Sequence, residues 1–514
     1  MRKQMQRVLT ASFVAVFCVG FWSPSAAALT NTVAIGNPIV AEAPKKGNQT
    51  PPSGSHEKTD AHGKKDGHGK GTTKEHGRVP TIYEVIPFLL LLLGIALIPL
   101  INGHFWESNL NKGLVAGLCS APILINLLIV NPNPHALLHA GEEFIAFIVL
   151  LWSLFTISGG IVLRGNIPAT PLTNTIFLAI GAVIANIFGT TGAAMLLIRP
   201  VLKTNRERRH KKHTVIFFIF LVANVGGCLT PLGDPPLFLG FLRGVPFEWT
   251  LKLWPMWLVK TALVLTIYYV WDTFAHKKES MKNVARDEKD VVPLRLEGSI
   301  NFLFIAGVVL AIIFGKNLKA LIHGSGATNY FPYGELVMIA MGLLSMRFTS
   351  KKLRKDNDFN FHAIIEVAVL FAGIFIVMIP ALDLLRAKGG SLGIKEPWQF
   401  FWATGLLSSF LDNAPTYLTF VSLGQGVTQV GDNILALATH PHHMVILKAI
   451  SVGAVFMGAN TYIGNAPNFM VKAIAETAPG ESRVTMPSFF GYMAYSFGIL
   501  VPLDIIITLL FFRS

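Results

Sequence analysis

The stretch Asn224-Val-Gly-Gly-Cys-Leu-Thr-Pro-Leu-Gly-Asp-Pro-Pro-Leu-Phe238 decides the fold, because it interrupts an apolar segment with glycines, prolines and a carboxylate. Proline removes a backbone donor and clashes with the preceding turn, so a helix must break here. At membrane depth, broken backbone is tolerated only where it is buried in protein or lines a polar cavity. The stretch therefore predicts a broken transmembrane helix whose interruption has a function.

A second stretch of the same kind, Gly458-Ala-Asn-Thr-Tyr-Ile-Gly-Asn-Ala-Pro-Asn-Phe469, lies far downstream. When Thr230 is placed on Thr461, Asp234 falls on Asn465. Matching interruptions in the two halves of a membrane protein indicate the binding site of a transporter.

The composition places the chain among membrane proteins with many spans. Of its 514 residues, 52% are hydrophobic and 14% are charged, whereas soluble domains carry about 25% charged residues. The net charge of +14 is explained better by basic cytoplasmic loops than by nucleic-acid binding. The three cysteines show no metal-ligand spacing, and neither a nucleotide-binding loop nor a zinc-protease motif occurs, so we expect neither an enzyme nor a cofactor.

The N-terminus predicts export of the first segment. Residues 1–28 have a basic start, a short apolar run and a small-residue end, as in a signal peptide. An uncleaved signal anchor is the alternative. Residues 29–79 are rich in His, Lys and Gly and predict a disordered exported tail. Its histidines predict a solvated polar segment rather than a metal site; they are His56, His62, His68 and His76.

Residues 80–275 predict a first transmembrane repeat. Its segments are helices near 82–101, 112–130 and 143–163, an interrupted segment at 172–200, a broken helix at 214–245 and a closing helix at 252–272. The loop after Pro200 is the most basic in the chain and should be cytoplasmic, as should the linker at 276–298. The segment at 172–200 then enters and leaves on one face, which predicts a re-entrant hairpin with Gly189-Thr-Thr-Gly192 at its tip.

Residues 299–514 predict a second repeat with the same order. Its segments are helices near 299–315, 333–348 and 362–384, a hairpin at 398–426, a broken helix at 443–475 and a closing helix at 487–512. An odd number of crossings in each copy inverts the second relative to the first. The alignment that places His139 on His362 also places Thr190 on Asn413, so the hairpin tips correspond. The predicted fold is an all-α polytopic membrane protein of two inverted repeats, each with three helices, a re-entrant hairpin, a broken helix and a closing helix.

Two carboxylates lead the candidate site. An ionisable side chain inside a bilayer costs at least about 2.5–3.5 kcal/mol, which makes it a functional candidate. Asp412 lies at the second hairpin tip, beside Asn413 and Thr416, among oxygen ligands that suit Na⁺. Its carboxylate can also take up a proton, although a helix N-cap is the alternative role. Asp234 could serve the equivalent position in the first half, or it could start a turn.

Neutral polar residues supply further candidate ligands at the interruptions. Each could bind the transported ion or satisfy the backbone; they are Thr190, Thr191, Asn224, Thr230, Asn460, Thr461, Asn465 and Asn468. One His–Glu pair lies at the start of the third helix in each repeat, and the two residues of a pair are one helical turn apart. These pairs, His139 with Glu143 and His362 with Glu366, could relay protons, although placement at the membrane interface is the stronger interpretation. We expect Glu142, Asp383 and Asp504 at membrane ends.

The motifs resemble those of the ion transporter superfamily. They are Asn224-Val-Gly-Gly with Thr230-Pro-Leu-Gly-Asp-Pro-Pro236, and Leu411-Asp-Asn-Ala-Pro-Thr416. Over roughly 82–512 the chain is similar to the branch that holds NhaD-type sodium/proton antiporters, arsenite permeases and citrate transporters. The resemblance implies hairpins and broken helices that work against a scaffold, often in a homodimer. The first hairpin departs from this pattern, because it reads Asn186-Ile-Phe-Gly-Thr-Thr191 where an L-D-N is often found.

The sequence favours a secondary active transporter that exports Na⁺ or Li⁺ in exchange for protons. We expect it to span the bilayer of the bacterial inner membrane many times, with its N-terminal tail on the periplasmic side. The first alternative is a Na⁺- or H⁺-coupled carrier of an organic anion such as citrate or a dicarboxylate. Arsenite export is a weaker alternative. A membrane sensor that transports nothing, with the exported tail as its working part, is the alternative from another class.

Overall fold

The computed structural model of the protein describes residues 78–289, 291–323 and 332–513. The predicted signal peptide and all but the last two residues of the predicted tail lie outside these ranges. Within them the chain is mostly helical, with one pair of short strands, and eight helices are long and apolar enough to cross a membrane. The predicted class, an all-α polytopic membrane protein, is confirmed.

The first half begins with membrane-length helices and ends with a short amphipathic one. Its elements are α1 (Ile82–Ile101), α2 (Gly103–Glu107), α3 (Asn109–Ile125), α4 (Pro134–Ser158), β1 (Val162–Asn166), α5 (Pro171–Thr204), α6 (Lys212–Leu221), α7 (Pro235–Leu242), α8 (Trp254–His276) and α9 (Met281–Lys289). Helix α4 starts well before its predicted start at 143. The Asn133 side chain caps it by accepting from the Ala136 N–H at 3.1 Å, and proline at the first helical position favours this start.

The second half repeats the long helices and interruptions of the first. Its elements are β2 (Val292–Glu297), α10 (Ile300–His323), α11 (Tyr333–Phe348), α12 (Lys351–Asp356), α13 (His362–Lys388), α14 (Pro397–Ser408), α15 (Asn413–Thr428), α16 (Ile434–Thr439), α17 (Pro441–Met457), α18 (Ala466–Thr477) and α19 (Phe489–Phe511).

The linker predicted at 276–298 is more ordered than a simple loop. It contains α9 and β2, and β2 pairs antiparallel with β1 so that Val162 lies opposite Glu297. Arg164 donates to Glu297 at 2.7 Å and to Asp356 at 2.5 Å. The strand pair therefore ties the connection between the halves to the end of α4 and to α12.

The first interrupted segment, α5, is a helical hairpin. Its backbone leaves the helical conformation at Gly189, where φ is 73° and ψ is 158°, a combination that favours glycine. Asn174 and Asn205, near the two ends, exchange amide hydrogen bonds of 2.9 and 2.8 Å. A continuous helix rising about 1.5 Å per residue would hold these residues about 46 Å apart. The chain therefore reverses at Gly189, as predicted.

The second interrupted segment, α14 and α15, is also a hairpin. Both helices pack on α17, and the paired positions give their directions: Phe401 with Gly453, Gly405 with Met457, Tyr417 with Ser451, and Gly424 with Ile446. Positions on α14 and α17 increase together, whereas those on α15 and α17 run in opposite directions. The two arms are therefore antiparallel, with the tip at 409–412.

The first three long helices of each half pack against one another. On α13, Gly373 lies against Ala116 of α3, and the Phe371 ring stacks on Phe147 of α4 with centroids 4.8 Å apart. On α11, Gly342 accommodates the Trp152 ring of α4. These helices form one layer, and the hairpins and broken helices form the layer that carries the site. The inverted relation between the halves stays a prediction.

Candidate functional site

Both broken helices are interrupted in the same way. In the first half, α6 ends at Leu221, a 3₁₀ turn covers Val225–Cys228, and α7 begins at Pro235. In the second half, α17 ends at Met457, a 3₁₀ turn covers Gly458–Asn460, and α18 begins at Ala466. We call 222–234 the first break and 458–465 the second break. Each leaves backbone groups without helical partners, and these groups need donors or acceptors from neighbouring elements.

Matched glycine pairs close the two breaks. Gly227 and Gly233 meet in the first break, and Gly458 and Gly464 meet in the second. The alignment that places Thr230 on Thr461 also places each glycine of the first pair on its counterpart. A Cβ on Gly233 would overlap the Gly227 carbonyl, and one on Gly464 would overlap that of Gly458. Glycine is therefore required at these positions by close backbone approach.

A matched threonine ties each break to the hairpin tip of its own half. The Thr230 hydroxyl donates to the Asn186 carbonyl at 2.5 Å, and the Thr461 hydroxyl donates to the Ser409 carbonyl at 2.5 Å. Asn186 falls on Ser409 in the same alignment that places Thr190 on Asn413. The breaks and tips therefore form two corresponding units, although Thr230 and Thr461 serve the backbone.

The carboxylate of Asp234 is the point at which all four interruptions meet. Its Oδ1 accepts from Thr190 of the first tip at 2.9 Å and from Asn465 of the second break at 3.1 Å. Its Oδ2 accepts from Asn413 of the second tip at 2.5 Å. Asp234 is 1% exposed. The sequence named these residues separately, and the structure brings them to one carboxylate.

Helix N-termini also face this point. Asp234 and Asn465 precede α7 and α18 with extended backbone, but neither side chain caps its own helix. Instead the two side chains bond to each other across the halves. The positive ends of both helix dipoles therefore lie at the Asp234–Asn465 contact.

Asp412 lies one residue before Asn413 and caps α15. Its Oδ1 accepts from the Ala414 N–H at 3.0 Å, and the Thr416 hydroxyl donates to the Asp412 carbonyl at 2.9 Å. The N-cap alternative is therefore correct, and Thr416 serves the same turn. The carboxylate remains half-buried next to the Asp234 cluster, so a cap role and a ligand role are compatible.

Asparagines extend the cluster across the two breaks. Asn224 accepts from Asn465 at 3.2 Å and donates to the Asn468 side chain at 2.7 Å. Asn468 in turn donates to the carbonyls of Gly458 and Thr461. Asn224 and Asn468 therefore join the halves and satisfy broken backbone. Thr191 is half-buried and lies outside this network.

The oxygen inventory suits a cation. The hydrogen-bond partners of Asp234 and Asp412 are all neutral. Within the described ranges, Asn413 Oδ1 and Asn460 Oδ1 are buried without hydrogen-bond partners. Asn460 is held through its amide nitrogen, which donates to Ser409 at 3.0 Å. The two tips and two breaks thus contain two carboxylates and two unused amide oxygens.

Both glutamates of the candidate His–Glu pairs form ion pairs with basic residues on other elements. Glu143 accepts two hydrogen bonds from Arg243, at 2.9 and 2.8 Å, whereas His139 is 3.7 Å away and 69% exposed. Glu366 pairs with Lys112 at 2.8 Å, and His362 is exposed. The Glu366 carboxylate therefore pairs with a basic residue on α3. A proton-relay role for these residues stays a prediction.

Two buried charge clusters were missed. Lys260 and Asp504 form an ion pair of 2.6 Å with both side chains 0% exposed, and the expected position of Asp504 at a membrane end stays a prediction. Asp272 accepts from Arg208 at 2.9 and 2.6 Å and contacts His213 at 2.7 Å. A lone lysine in the middle of an apolar segment was the available signal for the first cluster, because such residues are costly in a membrane.

Comparison with known proteins agrees with this architecture. Residues 77–512 match the model of a family described as "Putative citrate transport". The chain is also similar to the "46 kDa membrane protein" of Mycobacterium leprae (strain TN), with 24% identity over 406 residues, covering 72% of this chain and 88% of that protein. The predicted likeness to the citrate-transporter branch is thereby confirmed. The chain belongs to the family described as "Putative citrate transport" and is a secondary membrane transporter.

Proposed function

We propose that the protein exchanges Na⁺ or Li⁺ for protons at a site formed by Asp234 and Asp412. The observation that carries this proposal is the buried Asp234 carboxylate, to which both hairpin tips and the second break donate through neutral side chains. A moving tip or break would change the surroundings of this one group. The proposal therefore places transport and ion binding at the same atoms.

Burial of an unpaired carboxylate explains why a cation and a proton would compete. Removing an ionised carboxylate from water is costly unless a positive charge compensates it or a proton neutralises it. The hydrogen-bond donors to Asp234 are neutral, so either a metal cation or a proton would fill that role. Binding of one would then release the other, which is the basis of exchange.

The neutral residues divide into two groups under this proposal. Thr190, Asn413 and Asn465 orient the Asp234 carboxylate through their hydrogen atoms. Asp412 and the unused oxygens of Asn413 and Asn460 supply further ligands, since hard cations prefer oxygen. We do not require all of these oxygens to bind at once, because transport alternates between arrangements.

The proposal also covers the membrane, the orientation and the oligomeric state of the transporter. We place it in the bacterial inner membrane, with the N-terminal tail on the periplasmic side and the loop after α5 in the cytoplasm. We also propose a homodimer and an inverted relation between the halves. Labelling of single cysteines at Lys203 and Gln429, both exposed, from opposite sides of the membrane tests the orientation.

A second candidate is cation-coupled uptake of citrate or another di- or tricarboxylate. The family description favours it, and so do the N-termini of α7 and α18, whose positive ends could receive a substrate carboxylate. In this case the cation at Asp234 and Asp412 would enter with the anion and screen it from the two aspartates.

Reconstitution separates the two candidates. Purified protein in liposomes with an internal pH dye, and chloride as the only anion, should move protons when Na⁺ or Li⁺ is added outside. Choline in place of the metal cation is the control. If neither ion moves protons, yet citrate drives labelled cation uptake, exchange is wrong and the carboxylate carrier replaces it.

A further inference from the structure

The closing helices of the two halves, α8 and α19, are joined by a fully buried ion pair. Lys260 Nζ lies 2.6 Å from Asp504 Oδ1 and also donates to the Leu500 carbonyl at 3.1 Å. The ammonium is 5.8 Å from the centroid of the Phe456 ring, just before the second break. Both charged side chains are closed to solvent, so each charge depends on the other for compensation and the pair holds the two helices together.

Each closing helix also donates to backbone carbonyls of the break in its own half. The contacts are Trp257 to Gly226 at 3.3 Å, Thr250 to Leu229 at 2.9 Å, Tyr492 to Ala459 at 2.8 Å, and Ser496 to Asn460 at 2.5 Å. Thr250 lies in the 3₁₀ turns at Phe247–Leu253 that lead into α8. Broken backbone in a membrane must find such partners, so these donors fix the shape of both breaks.

The position of these donors depends on where α8 and α19 lie relative to each other. Removing one partner of a buried ion pair is strongly destabilising, because the other charge remains uncompensated. A shift of α8 against α19 would withdraw donors from the carbonyls of the first break, the second break or both. The ion pair therefore links the two breaks through the helices that cap them.

We infer that Lys260 and Asp504 are a positioning pair that couples the shape of the first break to that of the second. The inference rests on the proposal that the two breaks form the transport site, but it does not depend on which ion or substrate crosses. Substitution at Asp504, in the second half, should therefore loosen the first break.

Cys228 provides a built-in reporter of the first break, since it is fully buried in the 3₁₀ turn there. In a background with Cys18→Ser and Cys119→Ser, we expect Asp504→Asn to increase the rate of maleimide labelling of Cys228 about tenfold, because buried groups react through local opening. Lys260→Met should act in the same direction. Lys260→Met also tests the inference if Asp504→Asn does not fold, because a proton can neutralise the Asp504 carboxylate that remains in this variant.

Glu366→Gln is the matched control, since it leaves the buried Lys112 of the other layer without its carboxylate partner. This variant should label at the parent rate. The inference is overturned if Asp504→Asn and Lys260→Met label like the parent, or if Glu366→Gln labels as fast as they do. Labelling needs no ion movement, so a failure of cation/proton exchange in liposomes would leave this result intact.

Discussion

The two breaks share backbone features but differ in charge. Both contain a 3₁₀ turn, a glycine pair in close contact and a threonine bonded to a hairpin tip. At the position before the second half-helix, however, the first break has Asp234 and the second has Asn465. These two residues have similar extended backbone and bond directly to each other.

At the hairpin tips, in contrast, the second half carries the negative charge and the first half does not. The first tip has Gly189, with a left-handed φ of 73°, where the second has Asp412, with a φ of −53°. Each half therefore contributes one carboxylate, but from a different element. The two halves thus have corresponding backbone features but unequal side chains, and our proposal assigns both negative charges to one site rather than to two.

Asp234→Asn would make the first break like the second, and it should have the largest effect. We expect cation/proton exchange in liposomes to fall at least about 100-fold, because losing the charge partner of a buried cation costs about 3 kcal/mol or more. The new amide oxygen can still accept from Thr190 and Asn465, and Asn413 can turn its unused Oδ1 toward the new N–H, so folded protein should be retained in gel filtration. Asp432→Asn, at a carboxylate that is 82% exposed, is the control and should exchange normally.

Asp412 is expected to matter less, because it is half-buried and also caps α15. Asp412→Asn preserves the cap, since Asn and Asp cap equally well, but removes the charge. We expect exchange to fall about tenfold, in line with a weaker contact of about 1.4 kcal/mol. Asp412→Glu keeps the acid and should retain exchange with an altered pH dependence. Wild-type exchange in Asp412→Asn would reduce this residue to a cap.

The matched threonines should show the smallest effects, and Thr461 should have the larger one. Thr230→Val removes one hydroxyl from a carbonyl, at a cost of about 1 kcal/mol. Thr461→Val removes the same contact and also the acceptor of the Ile463 and Gly464 N–H groups. We expect both variants to lower the midpoint of thermal unfolding, Thr461→Val more than Thr230→Val. Wild-type midpoints in both variants would show that these hydroxyls do not hold the breaks to the tips.

The sequence predicted where the backbone breaks because glycine and proline act locally. The breaks, the hairpins and the alignment of each with its counterpart follow from such signals, and so does the set of polar residues near them. The sequence did not show which of the two aspartates lies at the centre of the cluster. Asp412 led the candidates, yet Asp234 lies at the centre, because the direction of a side chain at a break depends on packing between the halves.

Contacts between distant helices were the least predictable part. Glu366 pairs with Lys112, and Asp504 pairs with Lys260, although no local pattern links these positions. The sequence showed a histidine one turn from Glu366 and therefore offered only a local partner. Tertiary packing instead supplied a basic residue from another helix.

Proton release on cation binding tests the central claim, a single acidic site shared by cation and proton. Purified protein in detergent can be titrated with NaCl or LiCl in a calorimeter, in two buffers with different heats of ionisation. We expect binding of the metal ion to release protons from the wild-type protein, and Asp234→Asn/Asp412→Asn to release none. Cation binding without proton release, or equal release from the double variant, would contradict this claim.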